Sequence, residues 1–526
     1  MTSFYILIVV FYVLVMLGVG FWAMRRTRTL GDFFLGGRSL GPWMSAFAYG
    51  TTYFSAVLFI GYAGKLGWGF GIYTMWIVVG NTVVGTFLAW KILAGRTRAM
   101  TTRLNAMTMP EFLNARYDSR FMQTLAALVV FLFLVPYSAS VYMGLSYLFE
   151  KTVGLRYNEA LFFLAILTGL YLIMGGYFAV AISDFIRGIV EFGGVLLMVF
   201  LLAQAKGGFF DTTSALLSDP ATMAPGLIRA IPLGPDWLQI LTPGWLTLLS
   251  LVLITSFGPW ALPQMVQKFY SIRSQKDITR AMTIAGIFAL FMSFGAYYSG
   301  ALTHLYYANP AVDLAPITNA ATGKPNLDLL MPHFITTQVP VWLVVVILLL
   351  VFSASMSSLS SLVLVSSSAI AIDVYQAWKK DKGDQAKTMR LMRVLCAVFV
   401  GLSLAIALRQ PDVIVNLMVM SWGSLAGVFL APYLYGLFWR RTTKAGAFAG
   451  MATGLGTAFT LFILWGKDGI PLAGAITMFV PLAVVPAVSL VSRPVSEELL
   501  KRAFGTECPE ARTDETPVDR EETSVR

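Results

Sequence analysis

Long apolar runs alternate with short polar segments along this chain, and the runs have the length of membrane crossings. About 30 Å of hydrocarbon needs roughly 20 apolar residues of helix. Such runs cover residues 4–24, 42–64, 70–93, 121–148, 158–175, 179–203, 245–267, 281–304, 339–372, 391–408, 413–438, 444–465 and 470–491. The pattern predicts an all-α polytopic membrane protein with about thirteen transmembrane helices over residues 1–492. The first run is too long for a cleaved leader and lacks a basic leading segment and a small-residue cleavage site, so it is expected to remain as a helix. From about residue 493 the chain turns polar, ending ECPEARTDETPVDREETSVR, and a disordered cytoplasmic tail is expected.

Two runs are interrupted. The second carries a small, polar Gly50-Thr51-Thr52 at its centre, and the seventh carries Gly258, Pro259 and Pro263 within six positions. Proline removes a backbone donor and clashes with the preceding turn, so the seventh run should kink or unwind. Freed backbone groups survive in lipid where they line a cavity or bind something. The breaks lie five runs apart, the spacing of an inverted five-plus-five repeat with one helix before it and two after. A pair of harmless kinks is the plainer reading, because Gly and Pro are common in membrane helices.

The ninth run, VFSASMSSLSSLVLVSSSAIAI over 351–372, holds hydroxyls where lipid favours methyls. Ser357, Ser360 and Ser361 share one helical face, with Ser358 beside it. Hard, neutral oxygens suit an alkali cation, whereas transition metals call for His or Cys. The alternative is that these small residues merely let two helices approach. Asp184 and Glu191 are carboxylates in an otherwise apolar run, a costly placement that points to function. Asp184 could equally favour a helix N-terminus or pair with Arg187.

Composition agrees with the runs: 57% hydrophobic residues and 12% charged. The net charge of +11 sits in short loops, so it argues for membrane orientation and not for nucleic acid. Arg25, Arg26, Arg28 and Arg38 fill the first loop; Arg96, Arg98, Arg103, Arg116 and Arg120 the third; Lys268, Arg273, Lys276 and Arg280 the seventh. Lys379, Lys380, Lys382, Lys387 and Arg390, then Arg440, Arg441 and Lys444, continue the odd series. Even loops hold few cations, such as Lys65, Arg229 and Lys467. Odd loops are therefore expected in the cytoplasm, with the N-terminus outside and the C-terminus inside. Cys396 and Cys508 suggest no disulfide framework, and His304 and His333 read as solvated loop residues. No lysine or arginine is evident inside a run as a carboxylate clamp.

FFLGGRSLGPW (33–43), GTTYFSA, TMPEFLNARY (108–117), MGGYFAVAISDFIRG (174–188) and SASMSSLSSLVLVSSSAIAIDVY (353–375) together resemble the sodium/solute symporter family, closest to its proline and pantothenate branch. The likeness spans most of the chain. It implies a leucine-transporter-like core and sodium-driven uptake across the cytoplasmic membrane, with no enzymatic activity. It also implies a main sodium site built from the carbonyls of Thr51, Phe54 and Ala354 and the hydroxyls of Ser357 and Ser358. A second sodium site would match Asp184 with Ser357, Ser360 and Ser361, although Arg187 stands where such members have a glutamine-like residue. For the solute it points to Tyr53, Tyr137, Phe257, Trp260 and Gln264. Tyr53 replaces an acidic residue of proline carriers, which favours a pantothenate-like or other small organic acid. A proton-coupled or facilitative carrier of the same fold, a channel, and a membrane enzyme or sensor are the alternatives, and oligomeric state is not readable.

Overall fold

A computed structural model of the chain describes residues 2–24, 38–218, 220–228, 243–307, 310–318, 323–378 and 385–505. Outside them lie Arg25, Arg26, Arg28, residues 33–37 of the first motif, Arg229, Lys379, Lys380, Lys382, Cys508 and the tail from 506.

The elements are helices throughout, beginning with α1 (Thr2–Met24). The first interrupted run is α2 (Pro42–Tyr53), an extended break at Phe54, and α3 (residues 57–70). Gly71, at φ 51°, turns the chain into α4 (residues 71–103). Only a residue without a Cβ takes that conformation cheaply. The Tyr49 hydroxyl donates to Gly85 O, and the Tyr49 ring meets Trp90, so α4 runs back antiparallel to α2. Next come α5 (Met109–Tyr117), capped by the Thr108 hydroxyl, and α6 (Arg120–Val153).

Residues Tyr157–Gln204 form one helical run where the sequence suggests two crossings. The contacts show why two arms are nevertheless needed. Thr168 reaches Met356 and Asp184 reaches Ser357, neighbours on one turn, yet a straight helix would hold residues 168 and 184 about 24 Å apart. The chain therefore reverses between them, giving α7 (Tyr157–Leu170) and α8 (Val180–Gln204).

The second interrupted run is α9 (Pro243–Phe257), a tight turn over Gly258–Trp260, and α10 (Pro263–Ser271). The long helices α11 (Gln275–Tyr306), α13 (Val341–Ser368), α14 (Gln385–Arg409) and α15 (Ile414–Phe438) follow, with the short α12 (Leu330–Gln338) at one end of the bundle. Lys444–Val491 folds back at Gly466, φ 59°, so that Thr443 Oγ1 meets Ser492 Oγ at 2.6 Å; its arms are α16 (residues 444–465) and α17 (residues 467–491).

Among the described residues, nine helical runs are long and apolar enough to cross a membrane. Large apolar side chains such as Phe11, Phe200 and Ile463 are exposed on the outer surface, as lipid contact requires. The basic loops gather at one end. There Arg38 donates to Ala106 O, Arg98 to Ile272 O, Arg116 to Gly436 O and Lys444 to Asp118 O. At the other end Tyr157 donates to Ala407 O, Tyr147 to Gln410 and Tyr306 to Leu202 O.

Three expectations need correction. The tail is not disordered from 493: α18 (Glu497–Phe504) docks on the basic end, where Arg502 donates to Ala115 O and Phe504 lies under Arg116 and Arg440. Ser496 stands at the N-cap position, without a side-chain capping bond, and Glu497 and Glu498 open the first turn, signals too local to outweigh the polar composition around them. His304 is not in a loop. It ends α11, stacked on Trp68 at 4.1 Å and bonded to Trp68 O. Lys268 is not a loop cation either, but lies fully buried on α10.

Candidate ion and solute site

The first break exists because α2 stops at Tyr53, and a helix end leaves its last carbonyls without intrahelical donors. The amides that would have served them are diverted: Ala56 N–H donates to Ser355 Oγ and Val57 N–H to Ser55 Oγ. The carbonyls of Thr51, Thr52 and Phe54 then turn toward α13, where Ser358 Oγ lies 3.2, 3.1 and 3.4 Å from them. One hydroxyl proton cannot satisfy three carbonyls. Ser357 Oγ adds another oxygen beside them, 2.8 Å from Thr51 Oγ1. Every member of this cluster is buried. An excess of neutral oxygens over protons, shut away from water, is a donor set that suits a hard cation. Ala354 lies one turn before Ser358 within the continuous α13; its carbonyl belongs to the helical ladder and keeps one lone pair.

Toward the basic end, the same serine face meets charges. Ser357 Oγ donates to Asp184 Oδ1 at 2.7 Å, and Arg187 Nη1 lies 3.7 Å from that oxygen. Lys268 Nζ donates to Ser361 Oγ at 3.1 Å, which also meets Thr52 Oγ1 at 3.0 Å. Ser360 Oγ turns back onto Met356 O at 2.6 Å. Glu191, two turns beyond Asp184, is fully buried, with neither carboxylate oxygen hydrogen-bonded.

On the other side of the break is a cavity lined by Tyr53, Ser55, Tyr62, Asn81, Tyr137 and Trp422, among others. Its free space is about 20 Å³, room for a water and not for an organic solute. The Tyr53 hydroxyl donates to Thr255 O, joining the two broken runs, and lies 3.1 Å from Asn81 Oδ1. Trp422 stacks on Tyr53 and meets Tyr137 edge-on.

A model of the sodium:solute symporter family matches residues 33–454. The chain belongs to that family. The sodium/proline symporter of Salmonella typhimurium is 29% identical over 466 residues, covering 87% of each chain. The sodium/pantothenate symporter of Escherichia coli is 28% identical over 458 residues, covering 85% of this chain and 88% of the relative. Among solved structures, a sodium-coupled sialic acid symporter in a substrate-bound outward-open state superposes with a TM-score of 0.75 at 19% identity, over 94% of this chain and 98% of that one. The nucleobase-cation symporter Mhp1, in a closed conformation, gives 0.51 at 13% identity, over 90% and 98%. The leucine-transporter-like fold follows, and the protein is a sodium-coupled symporter for a small solute, not an enzyme.

In this symporter Thr51, Phe54, Ser357 and Ser358 come together around the break, as do Tyr53 and Tyr137 around the cavity. Phe257, Trp260 and Gln264 do not line that cavity. Phe257 packs on Phe479, Trp260 Nε1 donates to Val84 O, and Gln264 is buried on α10. Sequence reasoning missed Thr52, Asn81, Trp422 and Lys268. Asn81 carried a usable signal, an amide inside an apolar run. Which tryptophan faces a cavity has no such signal.

Proposed function

We propose that sodium is held between the broken first half of the repeat and the serine face of α13, by Thr51, Thr52, Phe54, Ala354, Ser357 and Ser358, and that it drives uptake of a small polar or anionic organic solute. The observation that carries this is the convergence of three helix-end carbonyls on Ser358 Oγ. An ion there ties α2 to α13 and favours the form that takes solute; reciprocity makes solute tighten sodium by the same factor.

The cavity beside the break is the solute place. Among the described residues no charged side chain lines it, and two of its residues, Tyr62 and Trp422, have a buried hydroxyl and indole N–H without a hydrogen-bond partner. Such groups favour a solute with oxygen acceptors, whose negative charge would be balanced by the neighbouring sodium. The relatives named for proline and pantothenate bear one carboxylate-bearing solute each, which fits this class. The basic loops, gathered at one end, support thirteen crossings with that end and the C-terminus in the cytoplasm and the N-terminus outside.

A thermal-shift screen of the purified protein with pantothenate, proline, sialic acid and short carboxylates, each in sodium chloride and in choline chloride, tests the reading. Stabilisation by one solute in sodium only is expected. Equal stabilisation in both salts would overturn it. A second reading, coupling to protons, rests on the buried and unbonded Glu191 carboxylate; it predicts uptake driven by a pH gradient in choline, abolished by Glu191→Gln.

A further inference from the structure

Four side chains stand where a second sodium would sit, and each is already engaged. Asp184 Oδ1 takes the Ser357 hydroxyl at 2.7 Å and faces Arg187 Nη1 at 3.7 Å. Ser357 is shared with Thr51, Ser360 donates to the carbonyl of Met356, and Ser361 receives the Lys268 ammonium at 3.1 Å. Asp184 Oδ2 has no hydrogen-bond donor, but the charges bearing on that carboxylate are those of Lys268 and Arg187. Asp184, Arg187, Lys268, Ser357, Ser360 and Ser361 are each at most 1% exposed.

Charge decides what else can enter. Two cations, Arg187 and Lys268, already bear on the one Asp184 carboxylate, Arg187 at 3.7 Å and Lys268 from the ammonium held on Ser361. A sodium ion added among them would be an excess positive charge beside an ammonium and a guanidinium, in surroundings that screen poorly. By contrast, the cluster around Ser358 holds oxygens only. The two halves of the serine face therefore differ: one is short of positive charge and the other is supplied from within.

We propose that the second ion place in this symporter is filled by its own side chains, Lys268 from α10 and Arg187 from α8, and that it binds a single sodium ion. The inference rests on the sodium reading above. Lys268 reaches α13 from the inner half of the second broken run, so the tethered cation links the second break to the same helix that sodium links to the first.

Equilibrium binding of radioactive sodium alone, to purified full-length protein in choline-balanced buffer, counts the ions without any solute. One ion per chain is expected, lost in Ser358→Ala and retained in Asp184→Asn. The double variant Arg187→Gln, Lys268→Gln is expected to bind two, and Asp184→Asn in that background to return the count to one. Two ions in the unaltered protein, one of them lost in Asp184→Asn, would overturn the proposal while leaving the main sodium site standing. A folded double variant that stays at one would overturn the claim that these cations fill the place. No ion at all in the unaltered protein would overturn the sodium site itself, and the proposal with it.

Discussion

The Tyr53 hydroxyl, at the end of the inner half of the first broken run, donates to the carbonyl of Thr255 in the outer half of the second. The same hydroxyl lies 3.1 Å from Asn81 Oδ1, so one proton serves two buried acceptors. Tyr53→Phe would keep the ring between Phe54 and Trp422 and leave both acceptors dry. Loss of a buried donor costs about 1–3 kcal/mol. Solute affinity is expected to fall roughly tenfold or more, by that conversion, with sodium binding changed less. Equal losses for both ligands, measured by calorimetry, would mean that the bond supports the whole fold and not the solute site.

Ser358→Ala removes the hydroxyl that three carbonyls share. The residue is buried in a continuous helix that tolerates alanine well, so the unfolding temperature should move little. The sodium concentration for half-maximal stabilisation should rise at least about tenfold, a change of about 1.4 kcal/mol. An unchanged sodium requirement would remove Ser358 from the ion's ligands.

The local chemistry of proline, glycine and serine was enough to locate both breaks and the hydroxyl face, because these residues act through their own backbone or a one-turn spacing. Carbonyls were harder. Thr52 O joins the ion cluster only because α2 ends at Tyr53, one residue later than the polar triplet suggests. Lys268 was hidden for a different reason. It follows Gln264 and Gln267 in a polar stretch that reads as the start of a loop, and only packing against Ser361 turns that stretch inward. The two arms of Tyr157–Gln204 were legible as two apolar runs, and the partners of Thr168 and Asp184 on α13 confirm the reversal between them.

Close packing of α3 on α11 depends on missing side chains. A Cβ at Gly67 would stand 2.5 Å from Gly300 C, and one at Gly300 would run into Ala63 O. Small residues of this kind let membrane helices approach at backbone distance. Gly300→Ala should therefore destabilise the protein by about 1–3 kcal/mol, the usual range for overpacking. Gly286→Ala, on the same helix, meets nothing within 4 Å and serves as the control. It should be neutral or slightly stabilising. Similar unfolding temperatures for the two variants would show that the α3–α11 contact can yield without loss.

Asp328 lies outside the crossings, buried under the start of α15, where its Oδ2 accepts from Ile414 N–H at 3.0 Å. Burial pushes its carboxyl up from 3.8 to about 6, against the opposing pull of the Ile414 amide and the Lys65 charge, while Asp412 pushes it further up. Below about pH 4 this group is protonated in both folded and unfolded chains, and above about pH 6 it is ionised in both. Between those limits the folded chain holds more proton, so its contribution to stability falls as pH rises. The span of that fall is at most roughly 3 kcal/mol. Asp328→Asn keeps an acceptor for Ile414 and cannot ionise. The wild-type melting temperature, measured relative to the variant, should therefore drop from pH 4 to pH 6 and level off above. Parallel curves across that window would mean that the carboxyl titrates near its ordinary value and that burial at this helix start carries no electrostatic penalty.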